Sequence, residues 1–157
     1  MIHPSSVPLP VGGGQMLLDQ ARSELRTELA DGSLATCVCC GQTAKIYARP
    51  LNATMVASLR AIAMSSYGLD NAQIIAATKQ SGGGNVSLLQ HWKLVESWPG
   101  KIWRITHNGR AFLGGHIRVP AKVILYNNIF LGFDATTTVS VVDLAGKAFD
   151  LTELLNQ

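Results

Sequence analysis

Leu18, Ala21, Leu25 and Leu29 recur at near-helical spacing and predict a helix over residues 15–30, stopped by Asp31-Gly32. The apolar stripe is narrow. It suits a helix docked on a surface or paired with a second copy as a homodimer, and no helix of this length is secure alone in water. The period then changes. Ala44, Ile46 and Ala48 alternate with Lys45, Tyr47 and Arg49, which predicts a short strand ended by Pro50. From Asn52 the spacing is helical again: Met55, Val56, Leu59, Ile62, Ala63 and Tyr67 form a broad apolar face over residues 53–67, and Gly68 breaks it.

A second helix is predicted near residues 71–80, capped by Asp70 or Asn71, with Ile74, Ile75 and Thr78 inward. The run at 81–84, SGGG, separates it from a third helix, capped by Asn85 and seated by Val86, Leu88, Leu89 and Trp92. Leu94-Val95-Glu96 and Ile102-Trp103-Arg104-Ile105 flank a turn at Trp98-Pro99-Gly100, a two-stranded hairpin. Thr106 then caps a short helix carrying Phe112 and Leu113. Residues 117–126 and 129–133 flank Asn127-Asn128, whose tolerance of positive φ predicts a second hairpin. Pro120 belongs at an edge or strand start. Residues 136–144 read as a third strand, and FDLTELL as a short final helix or extended tail.

With 157 residues, 47% hydrophobic and 15% charged, the composition is that of one folded α+β domain rather than a disordered chain. No apolar run approaches the ~18–20 residues of a spanning helix, so no membrane partner is expected. The opening MIHPSSVPLPVGGG has neither a basic nor an apolar signal region, which predicts a flexible arm over residues 1–14 and a cytoplasmic location.

Net charge is only +3, but it is unevenly spread. Residues 1–31 carry −2, residues 32–122 carry +8 with only Asp70 and Glu96 acidic, and residues 123–157 carry −3. A basic middle between acidic ends points to nucleic acid; a soluble surface with clustered charges is the plainer reading.

Three helices, a hairpin and a capping helix resemble a winged helix–turn–helix. The words that carry the resemblance are Leu88-Leu89-Gln90-His91-Trp92-Lys93-Leu94-Val95-Glu96, then Ile105-Thr106-His107-Asn108-Gly109-Arg110-Ala111-Phe112-Leu113. It covers residues 52–114, and one position departs from it: Lys93 stands where such sequences often place a left-handed glycine. Either the turn differs, or a strained lysine is kept for its charge. The chain also resembles a type of small phage- or prophage-encoded protein that joins a CxxCGQ segment to a winged helix and a closing IRVPxxVxLYNN hairpin. Here the segment runs Cys37, Cys40, Gly41, Gln42, Ala44, Lys45, Tyr47, Arg49, Leu51 and Asn52, and the hairpin runs from Ile117 to Asn128. That resemblance implies a fold and an origin in a bacterial host cell, and no mechanism. The expected plan is an arm (1–14), an amphipathic helix (15–31), a Cys knuckle and strand (34–51), a winged helix (52–114) and a C-terminal β-hairpin and tail (115–157).

The resemblance to a winged helix implies that the third helix enters the major groove and the wing touches backbone. The candidate DNA contacts are then Asn85, Ser87, Gln90, His91 and Lys93 on or after that helix, with Lys101 and Arg104 on the hairpin toward phosphate. Lys45 and Arg49, interleaved with Tyr47, add a face able to hold phosphate and stack a base of RNA or a single strand; an edge strand guarded by charge explains it equally. The alternative partner is a host enzyme or defence complex, a reading supported by the acidic termini and the narrow leucine stripe.

Cys37-x-x-Cys40-Gly41 is half a zinc knuckle, its thiolates able to reach one ion over a glycine turn. Tetrahedral zinc needs two further ligands, from Cys39, from His91, His107 or His116, or from a second copy. Reduced structural thiols are the other reading. No grouping of carboxylates, Ser/His/Asp or Cys/His has the context of a catalytic site, and neither GGG run is a phosphate loop, so no enzymatic activity is expected.

Overall fold

The computed structural model describes residues 18–32, 34–80, 83–126, 128–150 and 152, in two units, Met1–Ile46 and Tyr47–Gln157. The predicted arm and residues 15–17 lie outside the described residues.

In the first unit, helix α1 (Leu18–Asp31) lies against strand β1 (Leu34–Thr36), which pairs antiparallel with the start of β2 (Thr43–Pro50) in the register Leu34↔Lys45, Ala35↔Ala44, Thr36↔Thr43. The predicted stripe is spent inside the unit: Ala21 and Leu29 are buried, Leu25 is half-buried, and only Leu18 is exposed. The helix docks on its own hairpin, one of the two readings of the stripe.

The second unit begins with Tyr47–Pro50 of β2. This half lies beside β5 (Val119–Tyr126), and the Leu51 N–H donates to the Ala121 carbonyl over 2.9 Å. Helix α2 (Ala53–Ala63) starts where expected, with Asn52 Oδ1 accepting the Met55 N–H at 3.0 Å. It ends four residues earlier than the predicted 67, because the chain must leave the helix to reach a strand. Leu69 and Trp103 exchange backbone hydrogen bonds of 3.0 and 2.8 Å, and Gly68, at φ +85°, sits so close that an added Cβ would lie 2.4 Å from the Trp103 carbonyl. Asp70 and Gln73 form a reciprocal capping box at the start of α3 (Asn71–Thr78), and Lys79 ends that helix in the left-handed region, short of the predicted 80.

The predicted third helix is a 3₁₀ segment over Gly83–Gln90, and Asn85 is not its cap: at φ +53° it lies within the segment. The physical reason is its composition and spacing. Gly83 and Gly84 favour no α-helix, and Val86, Leu89 and Trp92, all buried, are three apart, the repeat of a 3₁₀ turn. Strands β3 (Val95–Trp98) and β4 (Ile102–Ile105) then pair from Val95↔Ile105 to Trp98↔Ile102, followed by α4 (His107–Leu113).

The C-terminal hairpin pairs β5 with β6 (Ile129–Val139); β5 begins at 119 rather than 117. Asn128 is left-handed as the turn requires, and Asn127 lies outside the described residues. Pro120 stands at a register irregularity opposite Thr138, to which it can offer no N–H; Arg118 Nη2 donates to the Thr138 carbonyl at 2.9 Å. The strand predicted over 136–144 is divided: β6 ends at Val139, and a Ser140–Asp143 capping box opens a short helix, α5 (Val141–Ala145), that Gly146 ends at φ +76°. Of the predicted FDLTELL tail, Phe149, Asp150 and Thr152 are described.

Met55, Val56, Leu59 and Ile62 of α2, Ile74 of α3, Leu89 and Trp92, Phe112 and Leu113 of α4, Val123 and Leu125 of β5, and Val141 form one buried cluster. The helices of the second unit, the β3–β4 hairpin and β5 thus share a single core. The fold is α+β with antiparallel sheets, as expected.

Arg118 also meets Asp143 at 3.0 Å. The Ser140 backbone and hydroxyl donors, then Arg118, hold the Asp143 carboxyl below the usual carboxylate range. A group with a depressed folded value stabilises above its unfolded value, and that contribution is lost as pH falls through the folded one. Asp143→Asn is therefore expected to flatten the decline of thermal stability between pH 5 and pH 3 on the order of those values. Melting followed by circular dichroism across that window checks it; an unchanged decline would remove Asp143 from the account.

Candidate nucleic-acid interface

Asn85, Ser87 and Gln90 are exposed on the 3₁₀ segment, and Gln90 Nε2 donates back to the Ser87 carbonyl at 3.2 Å. Lys93 follows, exposed, with φ +58°. The glycine-type turn is therefore kept with a lysine in it. Lys101, at φ +61° beside Gly100 at +84°, completes the three-residue connection of the β3–β4 hairpin, also exposed. Lys79 is a third exposed lysine in the left-handed region, at the turn leading to the 3₁₀ segment. Sequence reading did not single it out; it stands three residues before the glycine run that begins at Gly82.

Why Lys93 tolerates this conformation is read from Thr106. Its hydroxyl donates to the Lys93 carbonyl at 2.6 Å, its N–H donates to the Leu94 carbonyl at 3.1 Å, and its Oγ1 accepts the Gly109 N–H at 3.0 Å. One residue thus ties the exit of the 3₁₀ segment to the first turn of α4. The cost of a non-glycine residue at positive φ, about 1 kcal/mol, is borne by this knot.

Two predicted contacts are committed elsewhere. His91 is half-buried and stacked on Phe130 of β6, ring centroids 5.3 Å apart and planes 10° apart. Burial pushes its imidazole below the ordinary value of 6.5. The ring packs against Phe130 of the sheet. Arg104 lies over the Trp98 ring at 3.9 Å and its Nε donates to the Tyr67 carbonyl at 3.2 Å, so it braces the hairpin against the loop after α2. Trp98 in turn donates through Nε1 to Glu96 at 3.0 Å. Trp92 and Trp103 are structural, as expected: their Nε1 atoms donate to the Pro120 carbonyl (2.7 Å) and to Asn71 Oδ1 (2.9 Å).

Because His91 is neutral in its stack, the unfolded chain takes up its proton first as pH falls past about 6.5. Stability then decreases as pH drops. His91→Phe keeps an aromatic partner for Phe130 and is expected to lessen that decrease between pH 7 and pH 5, measured by urea titration. An equal slope in both proteins would show that the stack does not govern it.

Lys45 and Arg49 both lie exposed on β2, Lys45 in the first unit and Arg49 in the second, where Arg49 reaches over the Tyr47 ring at 5.2 Å. A groove of about 890 Å³ follows α4, lined by His107, Arg110, His116 and Phe149; none of the contacts predicted from sequence lines it.

The cysteines occupy the β1–β2 turn. The Cys37 N–H donates to the Gln42 carbonyl and the Gly41 N–H to the Cys37 carbonyl, both at 2.8 Å, with Gly41 at φ +69°. The Cys37 sulfur accepts the backbone N–H groups of Cys40 and Cys39, which lowers its pKa, whereas the Cys39 thiol is raised by burial and by its sulfur neighbours. All three are free thiols, and among the described residues no group of three or more His, Cys, Asp or Glu side chains is placed to hold one metal ion.

No described helix is long and apolar enough to cross a membrane. Comparison with known protein families, with curated proteins and with solved structures finds no match.

Proposed function

We propose that the second unit is a winged helix–turn–helix that binds double-stranded DNA, acting as a regulatory or DNA-metabolism accessory protein of the phage type. The observation that carries the reading is the order α2, Leu69 bridged to Trp103 of β4, α3, a third helical segment and a hairpin, with Lys79, Lys93 and Lys101 all exposed at its turns. No carboxylate lies in the chain between Asp70 and Glu96, the span that carries Lys79 and Lys93. Asn85, Ser87 and Gln90 are the residues offered to base edges, and the three lysines to phosphate. Nothing in this role requires catalysis.

Fluorescence anisotropy with random duplex DNA from 50 to 300 mM salt tests it. Affinity is expected to fall steeply across that range as counterions are released. No binding at 50 mM would refute the reading. Tyr67, 80% exposed, and Trp98, 45% exposed, flank Arg104 and favour one other reading, a surface for a host protein. Capture of one stoichiometric partner that survives nuclease treatment, with no duplex binding, would establish it instead.

A further inference from the structure

The buried apolar side chains described in the first unit are mostly small. Its buried apolar residues, among those described, are Ala21, Leu29, Ala35 and Ala44, three of them alanines. Units this small gain little from burial alone and depend on a disulfide, a metal or a second copy. The cysteines form no disulfide, and Cys37-x-x-Cys40-Gly41 lies in the β1–β2 turn. Gly41 is left-handed, and the Cys37 N–H closes the turn on the Gln42 carbonyl while the Gly41 N–H closes on the Cys37 carbonyl.

The turn supplies two ligands in suitable spacing, Cys37 and Cys40. Cys39 is their neighbour in the chain, and the three do not form a single ligand group. Tetrahedral zinc requires four. Leu34 and Val38, 61% and 57% exposed on the same hairpin, leave apolar surface beside the knuckle for a copy of itself to cover.

We propose that Cys37 and Cys40 of two copies close around one Zn²⁺, making a four-thiolate site on a two-fold axis and a metal-dependent dimer. Each ligating thiol gives its proton to solvent, so four protons are released per ion bound. The partner contributes half the site. The site is independent of the DNA-binding reading and stands or falls separately.

Titration of the reduced full-length chain with Co²⁺, followed by thiolate-to-cobalt absorption, is expected to saturate at one ion per two chains. Light scattering after size exclusion should show a monomer in chelator and a dimer with Zn²⁺. Cys37→Ser and Cys40→Ser are expected to abolish both signals, and Cys39→Ser to keep both; that last variant guards against mistaking a folding defect for ligand loss. One ion per chain on a monomer, a dimer that persists without metal, absence of binding by micromolar metal, or loss of the signals in Cys39→Ser would each overturn the proposal.

Discussion

Gly109→Ala is expected to destabilise the second unit by about 3 kcal/mol or more. The added Cβ would lie 2.2 Å from the Leu94 carbonyl oxygen and 2.7 Å from Ile105 Cγ1. The first of these is backbone, and it already accepts the Thr106 N–H. Relief would require moving α4 away from the end of the 3₁₀ segment. That movement breaks the three hydrogen bonds of Thr106 and lifts Phe112 and Leu113 out of a core in which both are fully buried. Urea unfolding monitored by tryptophan fluorescence checks it. A loss under about 1 kcal/mol would mean that α4 does not hold this position in solution.

The second large effect concerns binding. Lys79→Gly, Lys93→Gly and Lys101→Gly together remove three cations from the candidate face and three residues from the left-handed region. Each phosphate contact contributes about 0.9 to the logarithmic salt slope, so losing three should lower the slope by roughly 2.7 and weaken duplex binding about 100-fold near physiological salt. Stability should move the other way, rising by about 1 kcal/mol or more as the strain at positive φ is relieved. Opposed signs are the useful feature, because a damaged fold cannot produce them. If affinity and salt slope stay as in the parent chain, these lysines do not meet DNA. Arg104→Ala serves as the contrast: it is expected to loosen the hairpin, through loss of the Tyr67 hydrogen bond and the Trp98 stack, without a matching change in slope.

The capping residues Asn52, Asp70 and Thr106, the β3–β4 hairpin and the helical face of α2 were legible because each is a local rule: a side chain reaching a nearby N–H, or a period fixed by backbone geometry. On α3 only Ile74 of the predicted inward residues is buried, and Ile75 is exposed. The Thr106-x-x-Gly109 word was visible too, but not its cause, since Leu94 reaches Gly109 only after the chain has folded back. The third helical segment was misread as α because Val86, Leu89 and Trp92 satisfy either repeat, and the glycines ahead of them decide between the two. The tail of β6 was misread because Val141 and Val142 look like strand residues, while Ser140, Asp143 and Gly146 act as helix start and stop.

At the candidate site the division is sharper. Composition and order alone marked a basic middle segment, and Lys93 and Lys101 remain on its surface. Gln90, Asn85 and Ser87 remain with them. His91 and Arg104 were indistinguishable from these by sequence, because a polar residue at a helix end or on a hairpin carries no label for its neighbour. Their partners, Phe130 and Tyr67, lie 39 and 37 residues away in the chain. Helix caps, tight turns and the spread of charge follow from the sequence of this protein, since those depend on residues within one or two turns of each other. Which polar side chains are consumed by packing, and which are left to meet a partner, was decided only by tertiary structure, because contact across long loops obeys no local period.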